Sequence, residues 1–183
     1  MQTELTIRAA RPGDADDIGA VHVATWRSAY ASLLSHVTLS AMSISYQSSY
    51  YDAMIRRRGG VFVAVAGLDE QVVGFASVGR HRASSPGEGE IYTLYVLDDW
   101  REAGIGRRLM HAGASRLADD GCRSAFLWVL SENPSRWFYE HLGGRAVAVG
   151  TTHVGGRPVQ QTAYLWNPIE SLLAMTNPTL DTR

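Results

Sequence analysis

The sequence predicts one mixed α/β (α+β) domain, a sheet covered by helices. Three observations carry this prediction. The chain has 183 residues, 45% of them apolar and 19% charged, which suits a single soluble core. The hydrophobic period switches repeatedly between 2 and 3.6. The resulting order, β-α-α-β-β-β-α-β-α-β-β, mixes hairpins with two strand–helix–strand crossovers, which fits neither a barrel nor a helical bundle.

Taken in order, "ELTIRAA" (4–10) alternates as a strand does. Pro12, with acidic residues just after it, starts a helix whose apolar face runs through Ile18, Val21, Ala24 or Thr25, and Ala29 or Tyr30. A second helix is predicted from Thr38 to Arg58, closed by Gly59-Gly60. "VFVAVAG" (61–67) and "QVVGFASVG" (71–79) form a hairpin around "LDE". "RASSPGEG" (82–89) is a loop by composition, and "EIYTLYVL" (90–97) is a strand rich in aromatic and branched side chains. Ile105, Leu109, Ala112 and Leu117 share one side of a helix over 104–118. "SAFLWVL" (124–130) is a buried strand, and "PSRWFYEHL" (134–142) is a short helix stopped by Gly143-Gly144. "RAVAVGTTHV" and "PVQQTAYLW" flank "GGR" as a final hairpin. The domain is expected to span 1–166, with 167–183 a loosely attached tail, and no internal repeat is visible.

Composition excludes several chemistries. The formal net charge is −1 and no basic stripe is present, which argues against nucleic acid as a partner; "RRR" at 56–58 reads as a solvated helix end. All seventeen basic residues are arginine. Without lysine there is neither a P-loop phosphate site nor Schiff-base chemistry. The single Cys122 forbids an intrachain disulfide and suits a reducing cytoplasm, where it reads as a buried small residue. No apolar run approaches the roughly 18 residues of a membrane span, and the N-terminus lacks a signal-peptide core. The six histidines are scattered with no HExxH spacing, so no metal is expected, and no G-x-S-x-G elbow occurs.

The informative stretch is "DDWREAGIGRRLM" (98–110). It follows a strand and opens a helix, whose first turn offers unpaired backbone N–H groups and a positive dipole end. Glycine there lets an anion approach the backbone, and Arg101, Arg107 and Arg108 add charge. A phosphate seat and an ordinary turn both fit. It is not a dinucleotide fingerprint, because Leu109 stands where the third glycine would be.

Two motifs extend this reading. "REAGIG" (101–106) fits Arg/Gln-x-x-Gly-x-Gly/Ala, and "WFYEHLGG" (137–144) fits Phe-Tyr-Glu-x-Leu-Gly-Phe except at its last position. With "EIYTLYVLDDW" before the first, the chain resembles the GNAT superfamily of acyl-CoA-dependent N-acyltransferases from residue 4 to about 166. The resemblance implies a mostly antiparallel seven-stranded sheet, splayed between strands 4 and 5 and flanked by about four helices. It implies acetyl-CoA as co-substrate. Its pyrophosphate would sit on Arg101, Glu102, Ala103, Gly104, Ile105 and Gly106, with Arg107 or Arg108 reaching a phosphate. Its pantetheine arm would pair with the backbone of Leu94, Tyr95 and Val96, and Val96 N–H would be placed as an oxyanion donor.

The implied reaction is direct attack of a primary amine on the thioester through a tetrahedral intermediate. An amine of pKa ~10.4 is only about 0.04% neutral at pH 7, so a base is needed. Glu90, at the start of the strand, is the candidate, with water chains the alternative. Tyr139 occupies the family's general-acid position. Relatives carry an asparagine seven residues before that tyrosine; here Glu132 stands at seven and Asn133 at six, and Asn133 is carried over as the pantetheine contact.

On the acceptor side, Trp26 and Tyr30 share a helix face, while Tyr46, Tyr50 and Tyr51 crowd the second helix. Such aromatics either form core or cradle a cationic amine. The loop 80–89 is a possible gate or a plain surface loop. Three function classes follow: an N-acetyltransferase, with a small-molecule amine favoured over protein; an acyl-CoA-binding sensor that has lost catalysis; and an acyltransferase acting on another acceptor. A homodimer is expected from the resemblance.

Overall fold

A computed structural model describes residues 4–32, 34–81 and 85–179. Seven strands form one sheet in the order β1-β2-β3-β4-β5-β7-β6. They are β1 (Leu5–Ala9), β2 (Gly60–Ala66), β3 (Gln71–Arg80), β4 (Gly89–Val96), β5 (Ala125–Leu130), β6 (Arg145–Val154) and β7 (Arg157–Trp166). Every pairing is antiparallel except β4 with β5.

The alternation within strands separates two core layers. Val63 and Val65 of β2 pack with Ile18, Val21, Tyr51 and Ile55, which belong to α1 (Ala15–Ala29) and α3 (Ile44–Arg56). Ala64 and Ala66 point the other way, onto Ile105 and Leu109 of α4 (Ile105–Asp119). Helices α1 and α3 approach closely at Gly19, where an added Cβ would lie 2.5 Å from Ser48 Oγ and 2.9 Å from the Ile44 carbonyl.

Two expectations need correction. The helix expected over Thr38–Arg58 is two helices, α2 (His36–Ser40) and α3. Ser43 breaks it: its backbone is extended, and its hydroxyl accepts from Tyr46 N at 3.2 Å, capping a new helix. The expected loose tail instead forms α6 (Glu170–Thr176). Ile169 and Leu172 are buried in the core beside Met110 and Ala114 of α4, and Thr176 is fully buried. With α5 (Arg136–His141) the described residues hold six α-helices rather than about four.

The feature that positions the site is a separation inside the sheet. β4 pairs with β5 only at Gly89↔Ala125 and Glu90↔Phe126. Beyond Glu90 the strands diverge, while β4 stays registered to β3 through Val96. Half of the β4 backbone groups from Ile91 onward therefore face a gap rather than a partner strand.

Candidate active site

A cavity of about 770 Å³ occupies that gap and reaches both faces of the sheet. On one side lies the mouth of α4. The turn before it carries Glu102 at φ 64° and Gly104 at φ 72°, both left-handed. Gly104 is thus explained by the backbone alone. Gly106 is not. Its φ is not positive, and an added Cβ would meet only the Phe138 ring at 3.4 Å, ordinary contact. A glycine there costs helix stability of about 1 kcal/mol against alanine with no packing reason. The space it leaves belongs to the cavity. The first intrahelical bond runs from Arg108 N to Gly104 O at 3.1 Å, so the amides of Ile105 and Gly106 have no carbonyl within the helix.

The arginines near this mouth are held by the protein. Arg101 pairs with Asp98 at 2.7 Å. Arg107 borders the cavity, donating to the Met175 carbonyl at 3.0 Å and the Asn177 carbonyl at 3.3 Å. Arg108 points away from the cavity and donates to Leu5 O at 3.1 Å, which counts against the expectation that it reaches a phosphate. Of the stretch 101–107, only Ala103 does not border the cavity.

The strand β4 distributes its side chains by alternation. Leu94 and Val96 lie with the α4 layer, Tyr95 with the α1 and α3 layer. An irregularity opposite Ser77/Val78 leaves Tyr92 as the extra residue of β4, between Thr93 and Ile91. Glu90 alternates with Ile91, which packs in the α4 layer, so Glu90 lies on the α1 and α3 face. Its carboxylate is mostly buried. Burial pushes its pKa up, and the neighbouring His81 partly offsets this. The contact is direct: His81 Nδ1 lies 2.8 Å from Glu90 Oε2.

Tyr139 stands opposite, on α5, packed with Tyr164 and Trp166 in the α4 layer while bordering the cavity. Burial raises its pKa strongly, with Tyr95 and Tyr30 adding to the effect, so the phenol keeps its proton. Asn133 also borders the cavity, but its amide donates to the Tyr30 hydroxyl at 3.0 Å, and its Oδ1 accepts from Ser135 N at 2.9 Å.

The α1 face is walled by aromatics. Trp26 Nε1 donates to the Tyr95 hydroxyl at 2.9 Å, and its ring lies 4.7 Å from that of Tyr30. Behind them His22 stacks on Trp26 and meets Tyr95 edge-on at 5.1 Å. Burial lowers the His22 pKa to about 4 and holds the Tyr51 phenol protonated, and the Tyr51 hydroxyl and His22 Nδ1 share a hydrogen bond at 2.9 Å. Of the crowded tyrosines, Tyr51 is core, whereas Tyr46 and Tyr50 are exposed. The hairpin β6–β7 completes the wall with His153 and Gln161, and β5 adds Trp128.

Sequence reasoning missed His81, His153 and Trp128. His81 follows a strand end and carries no spacing signal; its place is fixed by β3–β4 pairing, which brings residues 81 and 90 together. Of the loop 80–89 considered as a gate, residues 82–84 lie outside the described residues. Among the described residues no cluster of His, Cys, Asp or Glu suited to a metal occurs, and no helix is long and apolar enough to cross a membrane.

The splayed sheet and the glycine-lined helix mouth frame one cavity that Glu90 and Tyr139 both border. The family model described as "Acetyltransferase (GNAT) family" matches residues 25–144, and the chain belongs to that family and is an acetyltransferase. It is 34% identical over 176 residues to an uncharacterized N-acetyltransferase, YuaI, of Bacillus subtilis, covering 94% of this chain and 99% of that one. A probable N-acetyltransferase of Mycobacterium tuberculosis is 28% identical, over 85% of this chain and 94% of its own. The fold is shared with an N-acetyltransferase from Staphylococcus aureus at a TM-score of 0.68 and 19% identity, covering 90% of this chain and 98% of that chain. It is shared likewise with a Thermoplasma acidophilum N-acetyltransferase solved in complex with coenzyme A, at a TM-score of 0.65 and 16% identity, covering 87% and 98%.

Proposed function

We propose that the protein transfers the acetyl group of acetyl-CoA to the primary amine of a small molecule. The observation that carries this reading is that one cavity holds Glu90 from one face of the sheet and Tyr139 from the other, with the unpaired edge of β4 between them. The residues fit the coenzyme: Gly106 leaves a cradle that a Cβ would fill, and Ile105 and Gly106 present amides to an anion. The coenzyme A bound to the Thermoplasma relative supports the same choice.

Acetyl-CoA supplies the activated acetyl group. The chain's residues do the rest. Glu90 takes a proton from the ammonium, directly or through water, freeing the nitrogen lone pair. Val96 N–H donates to the carbonyl oxygen as charge develops there. As the tetrahedral intermediate collapses and the C–S bond breaks, Tyr139 gives its hydroxyl proton to the departing sulfur, and its phenolate regains a proton from the acetylated nitrogen, directly or through water. Burial makes the phenol a weak acid, and burial also raises the basicity of a thiolate in the same cavity, which favours the transfer. The backbone of Leu94 faces the gap and is offered to the pantetheine arm, the backbone of Tyr95 is registered to Phe75 of β3, and Asn133 steadies Tyr30 at the wall.

Thiol release from acetyl-CoA, measured against a panel of primary amines, tests this. Turnover with at least one amine is expected. Tyr139→Phe is expected to lower kcat by about 100-fold while acetyl-CoA affinity stays within about twofold. Tight acetyl-CoA binding with no amine acetylated would overturn the reading.

A further inference from the structure

The two faces of the cavity carry opposite chemistry. Both described arginines that border it, Arg101 and Arg107, belong to the α4 mouth. Among the described residues the α1 face has none. It presents the rings of Trp26, Tyr30, Tyr92, Tyr95 and Trp128 around one carboxylate, Glu90. The remaining titratable group bordering that face is His153, from β6; behind the wall stand His22 of α1 and Tyr51 of α3, with His81 on Glu90 and Tyr50 near Tyr92.

The rings are fixed in advance. Trp26 is tied to Tyr95, Tyr30 to Asn133, and Tyr95 is wedged against His22 and Phe75. The face is also roofed. The β6–β7 turn packs on α2, where a Cβ on Gly155 would lie 2.6 Å from Thr38, and Val154 packs with Tyr30, Leu34, Leu39 and Leu130. The β6–β7 turn and α2 thus narrow the acceptor side to an aromatic-walled recess.

We propose that the acceptor is a small monoamine with a flat apolar body and no anionic group, the chemical class of the arylalkylamines. This rests on the transferase reading above. An ammonium gains from ring faces and from Glu90 together. A carboxylate next to the amine, as in an amino acid, would face the negative ring faces and Glu90, without an arginine among the described residues to pair it. A second ammonium, as in a polyamine, would lose its water with no second carboxylate on this face among the described residues. A flat apolar body stacks among Trp26, Tyr92 and Trp128, which makes these side chains the specificity-determining ones.

The test uses purified enzyme with acetyl-CoA and three acceptors: tyramine, tyrosine and spermidine. The expected result is kcat/KM for tyramine at least about 100-fold above both others, a difference of the size that an unpaired buried charge produces. Trp128→Leu and Tyr92→Ala, read separately, are expected to raise the tyramine KM by about tenfold and leave the acetyl-CoA KM unchanged. Equal or better use of tyrosine or spermidine, or a tyramine KM that neither variant moves, would overturn the proposal. Calorimetric titration with acetyl-CoA separates the two levels. Binding of acetyl-CoA with acetylation of another amine class removes the arylalkylamine assignment alone. Absence of acetyl-CoA binding removes the transferase reading beneath it.

Discussion

Glu90 and His81 meet at the closed end of the β4/β5 gap, with carboxylate and imidazole 2.8 Å apart. Glu90 borders the cavity and is largely buried; His81 does not border it and is 42% exposed. The pair therefore links the cavity to solvent. Burial raises the Glu90 pKa and His81 lowers it. In the proposed role of base Glu90 acts in its ionised form, so kcat/KM is expected to rise with pH through its pKa. His81→Gln removes the lowering influence. The acidic limb of the pH–kcat/KM profile is expected to move to higher pH, and in Glu90→Gln it should vanish with a loss of about 100-fold or more. An unmoved limb in His81→Gln would remove His81 from the proton path.

The two glycines at the α4 mouth are expected to separate in their effects. Gly104 sits at φ 72°, so Gly104→Ala strains the backbone and should cost about 1–2 kcal/mol of stability. Gly106→Ala meets only ordinary contact with Phe138 and improves helix propensity. It should leave the protein as stable or up to about 1 kcal/mol more stable, yet weaken acetyl-CoA binding by tenfold or more, because its methyl group projects into the cradle. Denaturant unfolding and calorimetry of the two variants read this directly. Unchanged coenzyme affinity in Gly106→Ala would mean that Gly106 serves no ligand.

His22 makes stability pH-dependent. Its folded-state pKa is lowered to about 4 by burial, below the ordinary 6.5. Above pH 6.5 the residue is neutral in both states and its contribution is fully present. As pH falls from 6.5 toward 4 the unfolded chain binds the proton first, so stability drops, by about 3 kcal/mol from this residue. Urea unfolding at pH 7 and pH 4 should show that loss, and His22→Gln should show less of it. An identical loss in the variant would place the pH dependence on other groups.

The C-terminal helix is expected to be integral. Leu172 of α6 is fully buried, Thr176 bonds His111 of α4 at 3.1 Å, and Arg107 holds the carbonyls of Met175 and Asn177. Leu172→Ala should cost about 2–5 kcal/mol, the usual range for an emptied core position. A variant as stable as the parent would mean that α6 is only loosely docked.

Much of this was legible in the sequence. "EIYTLYVL", "REAGIG" and "WFYEHLGG" placed β4, the α4 mouth and α5 in order, and the structure brings Glu90, Leu94–Val96, Gly104–Arg107 and Tyr139 to one cavity. These residues are adjacent in local motifs, so local pattern suffices. What escaped depends on long-range pairing. His81 meets Glu90 through sheet register, and Trp128 and His153 reach the wall through β5–β7–β6 order. The break at Ser43 was hidden because a serine cap and a helix-interior serine look alike until the backbone turns. The α6 segment was misread because "IESLLAMT" is short, and its burial is decided by α4, nearly sixty residues earlier.

The most direct test of the central claim is a crystal structure of the protein with acetyl-CoA. The account predicts the pantetheine arm lying in the β4/β5 gap along Leu94–Val96, the pyrophosphate on the amides at Gly104–Gly106, and the thioester sulfur within hydrogen-bond reach of the Tyr139 hydroxyl. A coenzyme seated outside that gap, or a sulfur directed away from Tyr139, would contradict it.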